Sequence, residues 1–435
     1  MKPILYISLT FVLVVPAGAQ DCTAAGCHAD QVEMEYLHVP VEDDDCGACH
    51  DQVKKRHPDG RGNEFELVEE SILDLCTGCH DVTEEYSELH QPVEDGECTT
   101  CHNPHQSNFS NLLRGETTAD VCNDCHEVGQ EEHEYTHGPV AVGACDVCHS
   151  GHDNTKGYLL RYDEVNSTCY ECHETKKEEI TNFAFQHDPV EESCSNCHSP
   201  HSSEAKFQLI DPAPDLCFGC HDEIQEGIEG DTTVHKAVEK DKTCMNCHNP
   251  HGSSVNKNLK SESFDLCLSC HNKNPDRKKG GLANMKRLLD RNEDWHGPIR
   301  DKDCTGCHQP HSSANFRLLK HRYPASFYER FDVENYALCY QCHPAENVFD
   351  QNTAVLTNFR DGDRNLHYLH INREKGRTCR ACHETHASQK PYHIREGVPF
   401  GKWLLPINFT PSDKGGSCAP GCHSEKTYRR DRQSN

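Results

Sequence analysis

Apolar residues are spread thinly along this chain and follow no long-range period. One stretch is the exception: residues 4–15 are apolar apart from Ser8 and Thr10. It follows Met1-Lys2 and leads to Ala17-Gly18-Ala19. A positive start, an apolar middle and a small-residue end are the parts of a cleaved export signal, here over residues 1–19. The run is too short to span a bilayer. No later stretch is apolar enough to cross a membrane, and no sustained strand alternation occurs. Short apolar clusters recur around certain cysteines, as in DLCFGCH and SFDLCLSCH, and predict short helices there. Pro and Gly punctuate the other cysteines and predict turns.

This pattern leaves little with which to build a core. Only 34% of the 435 residues are apolar, and the mean hydropathy is −0.82. Globular chains usually approach one-half. The formal charge of −28 pushes the same way, towards the composition of a disordered chain. If such a chain folds, something other than side chains supplies much of its interior. It also carries 30 cysteines, and outside the cytoplasm free thiols normally become disulfides.

The cysteines are arranged for another use. Cys-x-x-Cys-His occurs thirteen times. The sites are Cys46, Cys49 and His50; Cys76, Cys79 and His80; Cys98, Cys101 and His102; Cys122, Cys125 and His126; and Cys145, Cys148 and His149. They continue with Cys169, Cys172 and His173; Cys194, Cys197 and His198; Cys217, Cys220 and His221; and Cys244, Cys247 and His248. The last four are Cys267, Cys270 and His271; Cys304, Cys307 and His308; Cys339, Cys342 and His343; and Cys379, Cys382 and His383. Two expanded versions bracket them: Cys22, Cys27 and His28, and Cys418, Cys422 and His423. The fifteen motifs use every cysteine. Zinc does not require a histidine after each second cysteine, and a disulfide framework requires none. Covalent haem does. Two thiols add across the two vinyl groups of one porphyrin, and the following histidine is carried under the iron as its proximal ligand.

Eighteen further histidines remain. One set precedes alternate motifs by about eight residues: His38, His90, His137, His187, His235, His296 and His370. A second set follows the same motifs: His57, His105, His152, His201, His251, His311 and His386. Six of these seven stand three residues after a proximal histidine, as in CHNPH, with His57 seven residues on. The repeating unit is therefore a pair of motifs carrying two spare histidines for two irons. Methionine, the other common sixth ligand, is excluded as a general answer, because only Met34 and Met285 lie outside the signal and the motif loops. A histidine three residues beyond the proximal one lies on that haem's proximal side, so it is expected to ligate a neighbouring haem. The His28 site is left without a distal ligand, for which His133, His321, His367 and His393 are the candidates.

This arrangement resembles the doubled-CxxCH multihaem c-type cytochromes, and among them the periplasmic decahaem cytochromes of porin–cytochrome electron conduits, over nearly all of the chain beyond Cys22. The resemblance implies mostly irregular coil with short α-helices wrapped around an extended stack of c-type haems, with little or no β-sheet. It also implies electron transfer across the cell envelope. The count differs: fifteen sites rather than ten.

Proximal histidines follow one another at 22 to 30 residues as far as His271, then at 35 to 40. The charge changes at the same place. Residues 1–270 hold 16 Lys+Arg and 52 Asp+Glu, and residues 271–435 hold 27 and 19. This divides the exported chain into an acidic array over 20–271 and a basic segment over 272–435. Residues 272–298 are a candidate linker with one short helix, and residues 316–340 a candidate aromatic packing module. The reading is an electron carrier of the periplasm or cell exterior, with redox proteins as partners: an outer-membrane porin, a quinol-oxidising membrane complex or other cytochromes. Nucleic acid is excluded by export and net charge. The rival is a multihaem reductase with one open iron, for which the His28 site is the candidate. A subunit of a quinol-oxidising complex or of an extracellular filament would keep the electron path and change the partner.

Overall fold

The computed structural model describes residues 22–23, 27–54, 57, 64–82, 88–128, 133–154, 157–239, 243–274, 283–400 and 403–432. The export signal expected over residues 1–19 lies outside them. No helix among the described residues is long and apolar enough to cross a membrane.

Four of the motif pairs open the same way. The leading histidine follows a two-residue strand and stands at the N-cap position of a one-turn helix. His38 precedes Val39–Glu42, His90 precedes Gln91–Glu94, His137 precedes Gly138–Ala141 and His296 precedes Gly297–Arg300. A proline sits in the first turn of all four, where its missing N–H costs nothing. The first motif then makes a single turn, as in Cys46–Ala48, Cys145–Val147 and Cys194–Asn196. The second motif sits on a short α-helix: Ile72–Thr77, Thr118–Cys122, Val165–Tyr170, Asp215–Phe218, Ser263–Cys270 and Ala337–Tyr340. Caps stop and start these helices locally. Thr117 and Asp120 form a reciprocal capping box, and the Ser71 hydroxyl accepts from Asp74 N–H.

Successive pairs are tied by antiparallel ladders two residues long. Tyr36 and Leu37 pair with Ser107 and Gln106, Glu88 and Leu89 with Asn154 and Asp153, and Tyr135 and Thr136 with Ser203 and Ser202. The same link recurs at Phe185–Gln186 with Gly252–Ser253, Thr233–Val234 with Ser312–Ser313, and Asp294–Trp295 with Ala387–Ser388. Among the described residues there are ten two-stranded sheets and one of three strands. The expectation of little or no β-sheet is corrected in this respect. Two residues are too few to show a period of two, and the partners lie more than sixty residues apart in sequence, so no local pattern announces them.

The chain divides into two units. One comprises the described residues of Met1–Glu174 and Glu192–Ile210, the other those of Thr175–Glu191 and Asp211–Asn435. The change of charge and spacing at residue 271 therefore falls inside the second unit. Of the first unit's described apolar side chains, only Val93 and Ala205 are buried. The second unit has two small clusters. Phe264, Leu289, Ile299 and Ala387 form one, with Trp295 against it. Tyr323, Tyr336, Val348 and Ile371 form the other, with Phe331 and Tyr340. The candidate linker is thus partly structural, because its helix Met285–Arg291 supplies Leu289 to the first cluster. The aromatic segment supplies Tyr323 and Tyr336 to the second cluster. Past residue 396 the chain makes strands of four residues, Gly397–Phe400 with Trp403–Pro406, and Phe409–Ser412, Gly415–Cys418 and Lys426–Arg429. The last expanded motif begins at the end of the Gly415–Cys418 strand.

Candidate haem-binding sites

The short ladders fix where imidazoles go. Beside each ladder, the backbone N–H of the leading histidine donates to the carbonyl of the trailing histidine of the next pair. His38 donates to His105 (3.0 Å), His90 to His152 (2.8 Å), His137 to His201 (2.9 Å), His235 to His311 (2.9 Å) and His296 to His386 (3.0 Å). The leading side chain is then held by a second carbonyl. Nδ1 of His38 meets Pro104 O at 2.9 Å, His90 meets Gly151 O at 3.0 Å, and His137 meets Pro200 O at 2.8 Å. His187 and His235 meet Pro250 O and Pro310 O, both at 2.9 Å. A carbonyl only accepts, so Nδ1 carries the proton and Nε2 keeps its lone pair for a metal.

The proximal histidines of six first motifs are oriented in the same way by a different loop. Nδ1 of His102, His149, His198, His248, His308 and His383 lies 2.8–3.1 Å from the carbonyl nine residues on. Those residues are Asn111, Tyr158, Phe207, Lys257, Arg317 and Tyr392, with φ between 54° and 64°. The residue after each is also left-handed, with φ between 50° and 58°. None is glycine, and each costs about 1–2 kcal/mol to hold there. A serine steadies the loop: the Ser107 hydroxyl donates to Leu113 O and accepts from Phe109 N–H (2.5 and 3.0 Å). Ser203, Ser253, Ser313 and Ser388 repeat this. Neither the loops nor the serines were anticipated from sequence. The serine five residues beyond the proximal histidine was the available signal.

The outcome is a series of opposed imidazoles. His38 faces His80, His90 faces His126, His137 faces His173, His187 faces His221, His235 faces His271 and His296 faces His343, at ring-centroid distances of 5.9–6.2 Å. The leading histidine of a pair therefore opposes the proximal histidine of the second motif in that pair. The trailing histidine opposes the first motif of the preceding pair: His105 faces His50, His152 faces His102, His201 faces His149, His311 faces His248 and His386 faces His308, at 5.8–6.3 Å. Two further pairs close the ends. His57 faces His28 at 5.9 Å, and His367 faces His383 at 6.4 Å. Planes within each pair are inclined by 4–37°. An iron bonded to two imidazole nitrogens at about 2 Å each separates the ring centres by roughly 6.2 Å. The gaps fit that group.

The His28 site, left without a partner by the sequence, is thus opposed by His57. Of the four spare candidates it is His367 that enters a pair, opposite His383. His133 instead contacts Glu204 (2.9 Å), and His393 meets the edge of His296 at 5.5 Å. His321 enters none of these pairs. His370 donates to Leu366 O (2.7 Å), and the His423 charge is among those acting on it. His251 accepts from His187 N–H within its own unit (3.4 Å).

Burial favours the neutral, metal-binding form of several imidazoles. It lowers the pKa of His105, His152, His201, His308, His311 and His383, and that of His367 to about 4, with the His383 and His370 charges adding to it.

All thirty cysteines are free of disulfides, and they adjoin in motif order. The first cysteines of neighbouring motifs share side-chain hydrogen bonds at Cys22 and Cys46, Cys76 and Cys98, Cys122 and Cys145, and Cys169 and Cys194. In the second unit the same holds for Cys217 and Cys244, Cys267 and Cys304, and Cys339 and Cys379. The intervening steps bring second cysteines near the next motif: Cys49 and Cys79, Cys101 and Cys125, Cys247 and Cys270, Cys307 and Cys342, Cys382 and Cys422. Paired thiols in series, each followed by a histidine, fit a protein of serial, covalently attached haems, and the opposed imidazoles leave room for an iron between them.

Comparison with known families agrees. The doubled CXXCH motif model matches six times, at residues 38–85, 90–131, 137–178, 187–226, 235–276 and 296–348, covering well over half of the chain. The chain belongs to this family: it is a multihaem c-type cytochrome, carrying haem c covalently. A search of curated proteins returned no match.

Proposed function

We propose that this protein is an exported electron carrier holding fifteen haems, each ligated by two histidines. The observation that carries the reading is the recurrence of opposed imidazoles, with six leading and six trailing histidines set against proximal ones. The attached haem supplies one-electron exchange at iron, passed between neighbouring rings. The chain's own residues do the rest. Cysteines hold each ring in sequence order within a unit, as their adjacency supports. Carbonyls at Nδ1 fix the imidazole that meets the iron. Two protein ligands leave no position for a substrate, so the protein conducts rather than catalyses. Histidine in place of methionine lowers the reduction potential, which suits a low-potential respiratory chain of the envelope or cell exterior. Redox proteins are the partners, including an outer-membrane porin, a quinol-oxidising complex or other cytochromes. The basic residues beyond 271 suit an acidic one.

The test is the optical spectrum of the reduced holoprotein with and without carbon monoxide, alongside the haem count per chain. Fifteen haems and an unchanged spectrum are expected. A carbon monoxide shift worth one haem or more would overturn the closed, bis-histidine reading and return the reductase.

A further inference from the structure

The leading histidines His38, His90, His137, His187 and His235 donate Nδ1–H to a backbone carbonyl. His57 does not: its Nδ1 lies 2.5 Å from Glu64 Oε2. The Glu64 side chain is only 9% exposed. The edge of Phe65 covers the ring at 4.9 Å. The neighbouring ladder holds this arrangement, with His50, Asp51 and Gln52 paired to Leu67, Glu66 and Phe65, and Val53 N–H donating to Glu64 O at 2.9 Å. His386 also has a carboxylate nearby, but Glu384 stands 3.7 Å off and pairs with Arg395 at 3.2 Å.

We propose that Glu64 is a positioning residue that sets the haem of Cys22, Cys27 and His28 at a lower reduction potential than the carbonyl-bonded haems of the array. The inference rests on His57 being that haem's distal ligand. A hydrogen bond to a carboxylate is shorter and about twice as strong as one to a neutral carbonyl. It draws the proton from Nδ1 and makes Nε2 a better electron donor, and a ligand second shell of this kind tunes the metal. Greater donation stabilises ferric over ferrous iron. A haem held here would sit beside the next site along the chain, since Cys46 adjoins Cys22.

The experiment is a potentiometric titration of the full holoprotein followed by electron paramagnetic resonance. In the unmodified protein, about one-fifteenth of the low-spin signal should belong to a separate species that is among the last to be reduced. Glu64→Gln should move that fraction to more positive potential, with the remaining signal superimposable. Absence of such a species, or a Glu64→Gln titration identical to the parent, overturns the proposal. His57→Ala tests the ligand reading separately: it should admit carbon monoxide at about one haem in fifteen. If it admits none, His57 is not the ligand and the proposal falls with that reading.

Discussion

At the scale of single residues, the site depends on carbonyl direction more than on side-chain identity. Lys257 illustrates this. Its side chain faces solvent, yet its φ of 60° aims its carbonyl at His248 Nδ1. Lys257→Gly should hold the loop without strain, leaving stability within about 1 kcal/mol of the parent, whereas Lys257→Val should cost about 1–2 kcal/mol, because a β-branched residue resists the left-handed region. Denaturant unfolding followed at the haem absorption band distinguishes them, and equal midpoints would refute the account. These positions were not legible in the sequence. Left-handed residues are usually glycine or asparagine, and only Asn111 gives that hint at the first position of the turn. The histidines were legible, because their register repeats, and so was each cysteine. Which imidazole opposes which was only half legible. Sequence predicted that the trailing histidine serves a neighbouring site, but that His105 faces His50 needed the fold.

At the scale of elements, stability lies in caps and two-residue ladders rather than in long helices or sheets. The helix Leu366–Ile371 carries both His367 and His370. Asn365, 1% exposed, accepts from His367 N–H and Tyr368 N–H and donates to Asn347 O and Asp350 O (2.9–3.2 Å). Asn365→Ala removes the cap and strands two carbonyls, which should cost about 2–4 kcal/mol. Because the same cap orients His367 towards His383, the variant should also bind carbon monoxide at one haem. Loss of stability with no new carbon monoxide binding would separate the cap from the ligand. The helices on second motifs were readable from apolar pairs around the cysteines. The ladders were not, because each is too short to alternate and its partner is remote.

At the scale of the whole molecule, the chain lacks the side chains for an ordinary interior. Fifteen apolar side chains are buried among the described residues, and the first unit has two of them. The haems must therefore supply the missing core, as metal does in small metal-dependent folds. Chain produced without haem attachment should show no cooperative thermal transition by circular dichroism, while the holoprotein should show one. A sharp native-like melt of the haem-free chain would refute this. Sequence alone determined the cofactor and its attachment, because covalent haem demands fixed residues at fixed local spacing, and local spacing is written in the chain. Tertiary structure alone decided that His57 opposes His28, that His367 opposes His383 and that carbonyls of left-handed residues hold the proximal rings. Those relations join groups 9 to 29 residues apart, and they depend on backbone directions that no local motif spells out.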